Sequence, residues 1–145
     1  MGTTWSVRLA AARKLDLHVL HAGIQSRLDL VVRQMSTWEP DSDISRYNRA
    51  DAGEWLTIPA EFRQVLACAL DIAAASDGAF DPTIGRLVGL WGFGAQAQRG
   101  VPDAARLRDA CAQSGWRRIE LQSDAQRVLQ PGGLRLDLSA IAKGY

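Results

Sequence analysis

The chain has 145 residues, 47% of them hydrophobic, which is one domain's length with enough apolar mass for a buried core. Its 17 basic and 16 acidic residues are spread along the chain and leave a net charge of +1, so no basic face for nucleic acid or an anionic membrane is expected. No run approaches the roughly 20 apolar residues of a membrane helix, and the opening Met1-Gly2-Thr3-Thr4 follows no basic-then-apolar export pattern.

Trp5, Val7 and Leu9 alternate with Ser6 and Arg8, the period of a half-buried strand, so the chain is expected to open with one. Leu17, Leu20, Ile24, Leu28, Val31 and Met35 then recur at helical spacing, and His18 and His21 flank that face as polar rim residues. Pro40 stops this helix, and Asp41 or Ser42 caps a short turn carrying Ile44 and Tyr47 inward. A short strand is expected at Trp55 to Ile58. Pro59 then opens a helix through Phe62, Val65, Leu66, Ala69 and Ile72, which ends at Asp77-Gly78. Ala79 to Gly94 interleaves glycines with Ile84, Leu87, Val88, Leu90, Trp91 and Phe93, either a loop that lets backbone approach a flat ligand or one packed beneath a helix.

Pro102 and Asp103 open a further helix that runs to Ser114-Gly115. Three strand-like runs follow, Arg117 to Leu121, Arg127 to Gln130 and Leu134 to Leu138, with turn signals at Ser123-Asp124 and Pro131-Gly132-Gly133. Cys68 and Cys111 sit in alanine-rich helical segments and are expected as small buried hydrophobes. The order predicts an α+β fold, an antiparallel or mixed sheet with packed helices, rather than a parallel nucleotide-binding sheet.

The last nine residues, Asp137 to Tyr145, carry a pattern suited to a phosphate group. Ser139 is placed to cap a helix whose free amides favour an anion, Lys143 would follow one turn on, and Asp137 ends the preceding run. A helix opened at Ser139 has fewer than two turns before Tyr145, so residues 1–145 are expected to be the amino-terminal part of a longer single domain.

Four separated pieces resemble the ApbE family of FAD:protein FMN transferases. They are Met1-Gly2-Thr3-Thr4-Trp5, then Met35 to Trp38 with Asp41 to Asn48, then Ala79 to Gly85 through Trp91-Gly92-Phe93-Gly94, and last Asp137 to Gly144. The resemblance implies a magnesium-dependent enzyme that cleaves the FAD pyrophosphate and passes FMN to a threonine hydroxyl of an acceptor flavoprotein, releasing AMP. It implies FAD contacts at Met1, Trp38, Ala79, Phe80, Asp81, Asp137 and Lys143, and a magnesium ligand in the Ala140 carbonyl. Trp38 and Phe80 suit a flat ring, and Asp81 could accept hydrogen bonds from a base edge or ribose. A carbonyl facing a metal is less free for the helical bond from four residues ahead, so the turn at Ala140 should be distorted.

The resemblance also implies a periplasmic or cell-envelope location, reached through a signal or lipid anchor that these residues do not carry. Three other readings stay open on the residues: hydrolysis of FAD to FMN and AMP with water as nucleophile, a half-site that holds flavin without chemistry, and an unfolded fragment without function. The flavin reading expects the Asp137, Ala140 and Lys143 cluster to converge with Trp38 and Phe80 on one pocket.

Overall fold

Asp16 begins the first long element: its carboxylate accepts hydrogen bonds from the amides of His18 and Val19, at 2.9 and 3.2 Å, at the head of α1 (Leu17–Met35). The computed structural model describes residues 4–11, 14–94, 100–122 and 124–145, so Met1, Gly2, Thr3 and Ser123 fall outside it. Past Pro40, Ser42 does two jobs. Its hydroxyl donates to the Ser36 carbonyl at 2.7 Å and accepts from the Ser45 amide at 3.2 Å, closing the loop and capping α2 (Asp43–Arg49). Ile44 and Tyr47 of α2 are fully buried, as their spacing predicts.

β1 (Trp55–Thr57) precedes α3 (Ala60–Ala75), which turns Phe62, Val65, Leu66 and Ala69 into the core and leaves Ile72 on its exposed side. The glycine-rich stretch contains a short helix, α4 (Gly85–Leu90), and Asp103 caps α5 (Ala104–Ala112) through the Arg106 amide. β2 (Leu121–Gln122) and β3 (Arg127–Leu129) complete an antiparallel sheet of order β1-β3-β2, with Trp55 opposite Leu129 and Leu121 opposite Val128. The α+β class holds. The core gathers Met35, Ile44, Tyr47, Phe62, Leu66, Val128, Leu134, Leu136 and Leu138 between α2, α3 and this sheet. Among the described residues, no helix is long and apolar enough to cross a membrane.

Several expectations are corrected. Residues 4–11 form no strand: Val7 and Leu9 are exposed, and Trp5 instead stacks on His21 at 5.0 Å and donates to Gln25. The run from Leu134 to Leu138 has the burial of a strand, with Leu134, Leu136 and Leu138 inside, yet its one bridge is parallel, from Arg135 to Ile84. On that edge the Asp137 amide donates to the Pro82 carbonyl at 2.8 Å and the Arg135 carbonyl accepts from the Gly85 amide at 3.0 Å, while the other edge meets a side chain. The Asn48 side-chain amide donates to the Leu136 carbonyl at 2.9 Å and accepts from the Leu136 amide at 2.7 Å, standing in for a neighbouring strand. Trp116–Arg118 is a 3₁₀ turn rather than the start of a strand. Cys68 and Cys111 are exposed, because each falls on the outer side of its helix.

Candidate functional site

The segment that follows α3 builds one wall of a cavity. Gly78, at φ 82°, turns the chain out of the helix while its amide donates to the Ala73 carbonyl, and the Ser76 hydroxyl accepts from the Phe80 amide. Ala79, Phe80 and Asp81 are thereby set opposite Thr37 and Trp38, which follow the end of α1. Ile84, Val88 and Phe93 add apolar lining, and Asp137, Ser139 and Ala140 complete this cavity of about 310 Å³. Trp38 is 63% exposed and Phe93 76% exposed, so the aromatic surface at the mouth is uncovered.

Six of the eight residues named from the sequence therefore line one cavity: Trp38, Ala79, Phe80, Asp81, Asp137 and Ala140. Met1 lies outside the described residues. Lys143 does not join them; it lines a separate apolar cavity against α1, with Arg27 and Tyr145. The expected convergence is thus only partly met, and the reason is local. No α-helix starts at Ser139. The Asp137 carboxylate accepts from the Ser139 amide at 2.8 Å, the Ile141 and Ala142 amides both donate to the Leu138 carbonyl, and a 3₁₀ turn follows at Ala142–Gly144. Lys143 consequently leaves the face that an α-helix capped by Ser139 would have given it.

The same turn has the distortion expected at Ala140. The Gly144 amide, its α-helical partner, donates to the Ile141 carbonyl at 3.0 Å instead. Ala140 offers a carbonyl and Asp137 a carboxylate, oxygen donors of the type a hard cation prefers. Among the described residues there is no group of three or more His, Cys, Asp or Glu able to hold a metal, so these two would need partners from a phosphate, water or further protein.

Asp81 lines the cavity and is also tied to the protein. One oxygen accepts from the Thr83 amide and hydroxyl at 2.8 and 2.7 Å, and the other from the Trp116 amide at 3.2 Å. Thr83 in turn accepts from the Gly115 amide at 2.7 Å. The carboxylate ties the pocket loop to the turn before the 3₁₀ segment. Sequence reasoning missed Phe93 as a wall residue, although the glycine-interrupted apolar run marked its neighbourhood, and it missed Asn48, which no local pattern singles out.

Fold and pocket together define an α+β domain with an aromatic-lined cavity beside an oxygen-bearing turn. The ApbE family profile matches residues 1–145, and the chain belongs to the ApbE family. It is 34% identical over 150 residues to a FAD:protein FMN transferase of Klebsiella pneumoniae (strain 342), a match covering 100% of this chain and 43% of the relative. It superposes on the flavinyl transferase ApbE of Pseudomonas stutzeri in its apo form with a TM-score of 0.84 and 34% identity, over 93% of this chain and 45% of that one. The flavin transferase ApbE of Vibrio cholerae gives a TM-score of 0.86 at 31% identity, over 93% and 44%. The chain thus spans less than half the length of these relatives.

Proposed function

We propose that residues 1–145 supply the flavin-holding part of a FAD:protein FMN transferase. The observation that carries this reading is the gathering of Trp38, Phe80 and Phe93 around one cavity lined also by the Asp137–Ala140 turn. The aromatic walls suit a flat ring, Ala79 keeps the loop close to it, and the turn offers oxygen and amide groups where the ring's phosphate tail would emerge. Family membership and the names of the relatives support the same reaction.

In that reaction the hydroxyl oxygen of an acceptor threonine forms a bond to the FMN phosphorus. The pyrophosphate P–O bond breaks, AMP departs with the bridging oxygen, and the hydroxyl proton is released. Positioning and charge neutralisation do most of the work in phosphoryl transfer. Magnesium, held by the Ala140 carbonyl and assisted by Asp137, would offset charge on the phosphates. This chain's own residues hold the ring, orient the tail and fix the Ala79–Asp81 loop through Asp81.

The test has two readouts. FAD titrated into the chain should quench tryptophan fluorescence saturably, and Trp38→Ala should weaken that binding about tenfold, the loss of one stacking wall. Supplied with FAD, magnesium and a threonine-bearing acceptor flavoprotein, a protein carrying these residues with the rest of the family's length should leave flavin fluorescence on the denatured acceptor and release AMP. AMP release with FMN left free would instead identify a hydrolase, and quenching without AMP a binding module.

A further inference from the structure

Alternate residues of the Leu134–Leu138 run point into the core, so Arg135 and Asp137 share its outer side. Arg135 forms part of the wall of two neighbouring clefts. One, of about 200 Å³, contains Arg49 and shares Trp38 and Asp137 with the flavin pocket; the other, of about 310 Å³, contains Arg86. The two clefts meet along Gly85, where a methyl group would come within 2.9 Å of the Arg135 carbonyl, so the backbone of α4 is pressed against this segment.

The charges here are unbalanced. The Nε of Arg135 is buried and has no hydrogen-bond partner among the described residues. The Nε of Arg86 donates to the Gly133 carbonyl, and burial, followed by repulsion from Arg135, lowers its pKa. Asp109 lines the Arg86 cleft and Asp137 the other, yet among the described residues neither forms an ion pair with Arg86, Arg135 or Arg49. A buried donor without an acceptor, beside a second cation, is a costly arrangement unless an anion completes it. Guanidinium groups suit that role, because their planar donors match carboxylate and phosphate oxygens.

We propose that Arg135, flanked by Arg49 and Arg86, forms an oxyanion-binding subsite that opens into the flavin pocket and takes a phosphate or carboxylate group. The subsite itself stands on residues outside the flavin pocket; only its assignment to the same reaction rests on the transferase reading. The oxyanion would come either from the flavin nucleotide or from an acidic side chain of the acceptor polypeptide.

The experiment follows the arginine Nε–H signals of the 145-residue chain by NMR while sodium phosphate is added at constant ionic strength. The Arg135 signal should shift saturably with phosphate and remain still with matched chloride. Arg135→Gln should abolish phosphate binding, and Arg135→Lys, which keeps the charge and loses the planar fork, should weaken it about tenfold, both with an unchanged backbone fingerprint. A still Arg135 signal, or equal phosphate affinity in the folded Arg135→Gln chain, overturns the proposal. Comparing FMN with riboflavin identifies the source. If Arg135→Gln removes the advantage of FMN, the nucleotide's phosphate is the occupant; if it leaves that advantage and removes displacement of phosphate by an aspartate-containing peptide, the acceptor's carboxylate is. The transferase reading fails separately, by absence of FAD quenching while the phosphate shift persists.

Discussion

Asp81 accepts three hydrogen bonds on two oxygens, and all three donors belong to the protein. It thereby holds Ala79 and Phe80 in place by tying their loop to Thr83 and Trp116. Removing the carboxylate strands those donors in a half-buried setting, where an unsatisfied group costs about 1–3 kcal/mol. Asp81→Ala is expected to lower stability by about 2–3 kcal/mol and weaken FAD binding in step, as read by thermal melting and fluorescence titration. Asp81→Asn, which keeps a carbonyl acceptor, should cost less on both counts. Lost FAD affinity at an unchanged melting temperature would make Asp81 a ligand contact and not a structural tie.

Between elements, the Gln34 side chain of α1 reaches α3 and donates to Glu61 at 3.1 Å. The Glu61 carboxyl lies below its ordinary 4.5, first because its own amide at the head of α3 donates to it and then because Gln34 does. A carboxyl whose folded pKa is depressed stabilises the fold in its ionised form. That contribution is complete above the unfolded value and is lost as pH falls through the lower folded one. Melting curves of the wild type and Glu61→Gln should therefore show a small wild-type advantage near pH ~6 that disappears towards pH ~3; a margin constant with pH would refute the link.

Element boundaries set by local chemistry were legible in the sequence. The Ser42 and Asp103 caps, the Pro40 stop and the apolar spacing of α3 are all written within one or two turns. The strand expected at Trp5–Leu9 is absent and that at Leu134–Leu138 is paired on one edge only, for a common reason: alternation reports which side is buried, not whether a neighbouring strand exists. The partner of Leu136 is the side chain of Asn48, 88 residues away. The pocket residues Trp38, Phe80, Asp137 and Ala140 were reached through family resemblance, whereas the placement of Lys143 depended on a turn whose Asp137 bond diverts the chain from an α-helix.

Across the whole molecule, burial is concentrated away from most of α1. Phe62, Leu66, Ala69, Val128 and Leu136 are fully buried, while Leu17 and Val19 are 69% and 68% exposed. The inner side of α1, with Leu20, Ile24 and Leu28, borders an apolar cavity of about 980 Å³ that extends to Ala142 and Tyr145. Helical hydrogen bonds alone support a free segment poorly, because most helix stability in proteins comes from packing. Opening of the first turns of α1 should then require much less free energy than opening of α3 and β3. Hydrogen exchange is expected to be fast at His18 to Gly23 and slowest at Leu66, Ala69 and Val128. Leu66→Ala should cost about 2–5 kcal/mol and speed exchange throughout the core, whereas Val19→Ala should change stability by less than about 0.5 kcal/mol. Equal protection in α1 and α3 would mean that the long helix is held by more than the packing seen around it.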